Sequence, residues 1–529
     1  FVVFIKLAVS AIFTEKKMKR LLLILMLSYS VQLIAQQYDE TFNGTGLLIG
    51  QSNYDGVNMI DNAKDILYDP ATGNIVMWNE LGYSGGTLHR YLPNGTLDPA
   101  FGAGGNVEIH MELDNRFESV FATDEGYQLA GHVSPEHNVF LPAVLELNYD
   151  GSINTDFGID GLVTEASIDS FIPFHATKGP SGKITLAGWD YDALFADPAA
   201  GMARFDDDGN FDEDFGFLTF GVNVHTEFRS AIELNDGRVI GYGHTYNETA
   251  DSNVGYIACF KDNGDLDISF GDNGIVIPKP DTTDIHNYQF YRAIQGNDGS
   301  IYIAGILAMI PDYFLYVVKM DVNGNIMEEY GKNGAVFTKA TDITECKQIL
   351  VTPANEVYLL SIGHPLDDAT VETHIFKILA DGTPDYSFTN GNPGTFKINI
   401  EDAEDIIGAK MVMQTDGKIV VTGSVDGVGG NRDFFVCRIT SNSDPMAIHQ
   451  TPMLDFKLSP NPASSLLSIT SEQMINYYEI VATTGQILLQ EIIQATQFDI
   501  NVFNLPNGIY LLNLTDQAGN VTSQTFIKK

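Results

Sequence analysis

Cysteine is scarce in this chain of 529 residues, and the three present, Cys259, Cys346 and Cys437, cannot all pair. Cys259 and Cys437 stand in equivalent strands three repeats apart, too far to bridge, so all three read as free thiols in or near the core. Basic residues are few as well, 29 against 69 acids, a net charge of −40. Such a field repels phosphate backbones and argues against nucleic acid as a partner, while it keeps an exported chain soluble. Beyond residue 27 there is no apolar run long enough to span a bilayer. No H-x-H or H-E-x-x-H spacing occurs, and no His, Cys or carboxylate group recurs as an acid–base pair. The chain offers no zinc motif and no catalytic constellation, and it reads as a non-enzyme.

What it has in abundance is 50 glycines, 32 Phe and 23 Tyr within a composition that is 44% apolar. Many tight turns joined by aromatic-rich strands are how an all-β protein is written. At this length two domains or a repeat array are expected.

The first segment has the form of an export signal. Met18-Lys19-Arg20 supplies a positive end, Leu21 to Leu27 an apolar stretch, and Ala35 a small residue before a cut near Gln36. Residues 18–35 are therefore expected to be a signal peptide, with residues 1–17 as translated upstream sequence.

A repeat then runs through residues 37–445. The pattern D-x-x-F, with Asn154 and Met327 standing for the Asp in two copies, recurs with its aromatic at Phe42, Phe101, Phe157, Phe215, Phe270, Tyr330 and Phe388, at spacings of 59, 56, 58, 55, 60 and 58 residues. A turn before a β-branched run keeps step with it: Thr72-Gly, Glu125-Gly, Ser181-Gly, Asp236-Gly, Asp298-Gly, Asn355-Glu and Asp416-Gly. Six of these seven keep the glycine, as a hairpin turn needing positive φ demands. A third element alternates into another turn, as in HRYLPNG, ARFDDDG and FKILADG. Its charged positions, Arg90, Glu146, Arg204, Lys319, Lys377 and Arg438, lie between apolar ones, so one face packs and the other meets polar groups.

Each repeat reads as four short strands; in the third copy these are residues 161–166, 171–176, 183–188 and 202–205. Units of this kind cannot bury both faces alone, and radial stacking buries them, which predicts a seven-bladed β-propeller. The chain opens on the end of a repeat and stops in mid-repeat, so its two ends are expected to complete one blade together. The D-x-x-F-G-x-x-G signature with its preceding D-G turn resembles the delta-60 repeat family of bacterial secreted propellers, over roughly residues 38–445. Copies six and seven depart from it at Thr389 and at Asn442-Ser443.

A linker at 446–452 leads to a different pattern over 453–529. Pro460-Asn-Pro462, Thr484-Gly-Gln486, Leu505-Pro-Asn-Gly-Ile-Tyr510 and the basic end Lys528-Lys529 punctuate short alternating strands. Such spacing predicts a small immunoglobulin-like β-sandwich. These four motifs resemble the Bacteroidetes type IX (Por) secretion C-terminal sorting domain. The resemblance implies delivery across the outer membrane to the cell surface or medium, with the type IX machinery as partner.

Several segments invite sharper chemistry. Gly82-Tyr-Ser84-Gly-Gly86 matches the nucleophile-elbow pattern but has no helix pattern after it, so a glycine-rich hairpin is expected. The acidic run around Asp206, Asp208, Asp212 and Asp214 looks like a calcium loop, yet it lacks the EF-hand register; turn capping is the first expectation and calcium the alternative. No other cofactor is expected. His132 and His244 occupy equivalent places two repeats apart, where the intervening copy has Trp189. The loops that follow vary most, and variable loops on one face of a rigid ring are where recognition is usually placed. Trp189, Tyr191, Phe195, Tyr246, Pro311, Tyr313 and Phe314 there are candidates to stack on a glycan or contact a protein. The leading expectation is an exported binding or adhesion module with an unidentified glycan or protein ligand. The alternatives are a secreted polysaccharide hydrolase or lyase on the same scaffold, and a structural surface protein.

Overall fold

The computed structural model describes residues 38–440 and 456–529, apart from residues 55–56, 59, 82–84, 112–113, 191–198, 223–224, 249–250, 281–286, 310–311, 340–341, 366–369, 389–393, 428–431, 483–486 and 517–520. The expected upstream segment, signal peptide, cleavage point near Ala35 and linker at 446–452 lie outside the described residues. Two compact units divide after residue 442.

No helix occurs among the described residues of either unit, and none is long and apolar enough to cross a membrane. The first unit holds seven four-stranded antiparallel sheets and one small two-stranded ribbon. The first strands of the seven sheets are Asn62–Tyr68, Asp114–Ala122, Phe171–Lys178, Thr226–Glu233, Asn287–Gln295, Asp342–Val351 and Ile406–Met413. Each packs against the first strand of the sheets on either side, and the seventh packs against the first, so they form a closed inner ring.

Seven apolar clusters fill the seven junctions between neighbouring sheets. At the first junction, for example, Trp78 and Leu88 meet Phe117, Leu129 and Leu145, and the Trp78 indole N–H donates to the Phe117 carbonyl at 2.7 Å. Alternation along each strand therefore serves two different junctions, which is why both of its faces are apolar.

The ring closes through the N-terminal segment. Leu47–Gly50 pairs with Asp433–Ile439 as the outermost strand of the seventh sheet, as the broken first and last repeats led us to expect. The expected grouping of strands is otherwise displaced by one. Leu162–Thr164, read as the opening strand of the third unit, hydrogen-bonds to Leu141–Asn148 and so forms the outer edge of the second sheet. Each sheet takes as its outer strand the residues after the D-x-x-F motif.

That motif has a physical basis. Asp98 receives the Arg90 Nε at 2.8 Å, and the Arg90 guanidinium lies 4.6 Å over the Phe101 ring. The same clamp joins Arg204 to Asp212 and Phe215, and Arg438 to Asp39 and Phe42. Lys377 pairs with Asp385 in the sixth sheet, whereas in the fourth Cys259 stands at the cation position and Arg238 reaches Asp267 instead. The Asp side chain also caps its own turn, as Asp98 does for the Ala100 N–H at 3.0 Å. One acid thus holds a turn, a buried cation and, through it, an aromatic plug.

The hairpin glycines need one correction. Gly182 has φ of 87° and Asn355, the one copy without glycine, still takes φ of 62°. Gly126 is not in the left-handed region; it sits in a strand where a Cβ would meet the Leu147 carbonyl oxygen at 1.9 Å, so close approach, not turn geometry, excludes a side chain.

The second unit is a five-stranded sheet built on two long strands, Leu466–Ala482 and Ile487–Asn501, around Leu467, Ile469, Ile480, Leu512 and Phe526. Its motifs are structural. The Asn461 side chain accepts the Ile527 N–H at 2.9 Å, tying Pro-Asn-Pro to the last strand, and the Tyr510 hydroxyl donates to the Pro506 carbonyl at 2.8 Å.

Candidate functional site

The inner strands share an irregularity. Each carries a β-bulge at the same point, where Lys64, Glu118, Phe174, Arg229, Tyr291, Lys347 and Ala409 are the extra residues. Bulges re-aim side chains and are common beside binding and active sites. Lys64, Glu118, Phe174, Lys347 and Ala409 line a cavity of about 320 Å³, whose wall also includes His175, Arg292, Glu345 and Lys410.

The residue after each bulge is polar in every sheet: Asp65, Ser119, His175, Ser230, Arg292, Gln348 and Lys410. Five of these reach the inner strand of the next sheet. Asp65 accepts from the Val120 N–H at 2.9 Å, Ser119 donates to the Ala176 carbonyl at 2.9 Å, and His175 Nδ1 lies 2.8 Å from Ser230 Oγ. Arg292 Nε donates to the Lys347 carbonyl at 2.7 Å, and Lys410 Nζ lies 3.8 Å from Asp65. Lys410 also crosses the axis to His175 Nε2 at 2.5 Å. Both ring nitrogens of His175 are thereby engaged, Nδ1 with Ser230 and Nε2 with Lys410.

Burial governs the charges at this level. It holds the Lys410 amine down to about 8, against the opposing pull of Asp65, and holds His175 well below the usual imidazole range, helped by the Lys410 and Arg292 charges. Above them the charges pair with one another: Lys64 with Glu118 at 3.2 Å and Glu80 at 3.3 Å, and Lys347 with Glu345 at 2.7 Å.

The strand register shows which face this cavity opens on. Asn62 pairs with Glu80, Phe171 with Asp190, Asn287 with Ala308 and Asp342 with His364, so the variable loops leave the sheets at the Asn62 end of the channel. Trp189, one of the expected ligand residues, stands there, its ring 5.1 Å from Phe174 and its indole bonded to the Glu227 carboxylate. Arg229 lies between two rings, 5.2 Å from that of Phe174 and 5.5 Å from that of Tyr291, and pairs with Glu227. His244 Nδ1 approaches Glu227 at 3.1 Å, while His132 lies opposite Arg116; they belong to different sheets, each with its own neighbours.

The remaining expected residues are more scattered. The Tyr246 hydroxyl donates to Asp251, Tyr313 is exposed on a hairpin, and Lys339 Nζ sits 5.6 Å over Phe314. Tyr191, Phe195, Pro311 and residues 82–84 of the Gly82–Gly86 motif lie outside the described residues. Asp206 accepts from the Asn210 N–H at 2.8 Å and Asp212 pairs with Arg204 and Lys183, while Asp208 and Asp214 are exposed. Among the described residues no three His, Cys, Asp or Glu side chains gather as a metal site. Sequence reasoning missed His175, Arg292 and Lys410; the signal that finds them is a single always-polar position in each inner strand.

Residues 457–529 match the family described as the secretion system C-terminal sorting domain, and residues 179–215 and 414–445 match a β-propeller domain of unknown function, DUF5122. The chain is a type IX-sorted β-propeller protein. Its sorting tail engages the type IX machinery and delivers it to the cell surface or extracellular space. Among solved structures it is similar to PorZ, a bacterial surface component of the type IX secretion system of Porphyromonas gingivalis, at 10% identity and a TM-score of 0.29, covering 86% of this chain and 68% of that one. It is similar also to polysaccharide lyase Uly1, at 11% identity and a TM-score of 0.43, covering 78% and 98%. A third is the β-propeller domain of the Trilobed protease from Pyrococcus furiosus, at 10% identity and a TM-score of 0.39, covering 73% and 98%. A search of curated proteins finds no match.

Proposed function

We propose that the seven sheets are the blades of a seven-bladed β-propeller, and that this type IX-sorted chain is a non-enzymatic binding or adhesion module acting outside the cell. We assign an immunoglobulin-like sandwich to the tail, a reading supported by the register breaks between Thr470 and Tyr477 that interrupt its long strands. The ligand, a glycan or a protein, is recognised at the axial mouth and the loops that surround it.

The observation that carries this reading is the Phe174–Arg229–Tyr291 stack beside Trp189 on the loop-bearing face. Aromatic planes and a held guanidinium are recognition chemistry. The acids nearby favour binding over turnover, because Glu80, Glu118, Glu227 and Glu345 are each paired with a neighbouring cation. The test is a glycan and peptide array probed with the secreted chain, alongside turnover assays on the same glycans. Binding to one ligand class without turnover supports the reading; turnover abolished by a single acidic or His substitution overturns it.

A further inference from the structure

We propose that the axial cavity is a binding site for the carboxylate of a small acidic saccharide, gripped by Arg292 and Lys410 with the sugar ring against Phe174. This rests on the binding-module reading and narrows it to one ligand class and one set of residues.

The lining is electrically unlike the rest of the chain. Bases are outnumbered 29 to 69 overall, yet Lys64, Arg292, Lys347 and Lys410 face only Glu118 and Glu345 along this wall. Lys64 and Lys347 are compensated by those acids. Arg292 is compensated only at a distance, through the charge of the buried Asp65: among the described residues its guanidinium bonds the backbone carbonyls of Lys347 and Tyr291, each at 2.7 Å, and no carboxylate lies within ion-pair distance. A guanidinium has five N–H donors in a planar fork suited to a carboxylate, and two are used here.

Lys410 adds a second cation with incomplete compensation. Its nearest acid, Asp65, is 3.8 Å away, and burial holds its amine down to about 8. An incoming carboxylate would supply the missing negative charge to both groups. Arg292 and Lys410 share the single buried carboxylate of Asp65, which leaves about one positive charge over and matches a monoanion better than a dianionic phosphate. A cavity of about 320 Å³ is at the small end of ligand pockets and suits a single sugar unit. Phe174, on the same wall, offers an apolar ring face beside the cations.

The test uses the full secreted chain with glucuronate, glucose and inorganic phosphate at matched ionic strength. Binding is read by thermal shift, and by amine acylation of Lys410 followed by peptide mass spectrometry, which needs no variant. Glucuronate is expected to raise the melting temperature and to shield Lys410 about tenfold or more, with no effect of glucose and little of phosphate. Arg292→Gln, checked to melt cooperatively, should weaken glucuronate binding about tenfold or more, as loss of a charged hydrogen bond predicts. An equal response to phosphate would overturn the assignment to a carboxylate sugar. No response to glucuronate from a folded chain would overturn the site altogether. If array binding persists while glucuronate neither binds nor competes, this inference fails and the binding-module reading stands.

Discussion

The guanidinium of Arg438 holds the carboxylate of Asp39 at 2.7 Å across 399 residues of chain. Both side chains are almost completely buried, and the pair fastens the N-terminal segment to the seventh sheet. Ring closure therefore depends on a charge as well as on a strand.

Removing one partner of a buried ion pair typically costs about 3–5 kcal/mol when the other charge is left unpaired; Asp39 keeps Lys418 and Thr41 as partners, so Arg438→Ala should lose an amount at the low end of that range, about 3 kcal/mol. Lys418 also touches Asp39, at 3.1 Å, but is about a third exposed, so Lys418→Ala should cost less than about 1 kcal/mol. Denaturant unfolding of the two variants checks the contrast; equal losses would mean the clamp does not hold the closure.

The buried histidines make the first unit sensitive to acid. Burial holds His132 at about 4, well below its ordinary value of 6.5. A neutral buried imidazole lets the unfolded chain bind more protons than the folded one between those values, so stability falls as pH drops through 6.5 towards 4. Between pH 7 and pH 5 the wild type should lose about 2 kcal/mol more than His132→Gln. Parallel pH profiles of the two proteins would refute this.

Thiol titration gives a simple check on the core. Cys259, Cys346 and Cys437 are all buried, and burial pushes the first two up to about 12 and the third higher still. A native chain should leave a thiol reagent unreacted over minutes, and the denatured chain should consume three equivalents. Fast reaction in the native state would contradict the packing.

Chelation should leave the melting temperature unchanged, because Asp206 and Asp212 are already engaged by Asn210, Arg204 and Lys183. A fall in melting temperature on adding chelator, restored by calcium, would instead make the acidic turns metal sites.

The repeat was legible because its clamp reuses the same residue types in most copies: an Asp to cap and pair, an aromatic to lie under the cation, as at Asp98 and Phe101 or Asp212 and Phe215. Strand grouping was not, because a short outer strand such as Leu162–Thr164 follows its motif without any marker of which sheet it joins. Trp189 could be singled out as an aromatic at a loop entrance, whereas its partners Phe174, Glu227 and Arg229 lie on other strands. The axial position was hidden for a different reason. Asp65, His175, Arg292 and Lys410 share only polarity, and the bulge before each one shifts the alternation that would have assigned its face.

The most direct test of recognition at the axial mouth compares array binding of the wild-type secreted chain with that of Trp189→Ala and Arg229→Gln, each shown to melt cooperatively. The account predicts one reproducible ligand class for the wild type and at least about a tenfold loss in both variants, the scale of a central aromatic or arginine contact. Undiminished binding by both folded variants would place recognition elsewhere and contradict it.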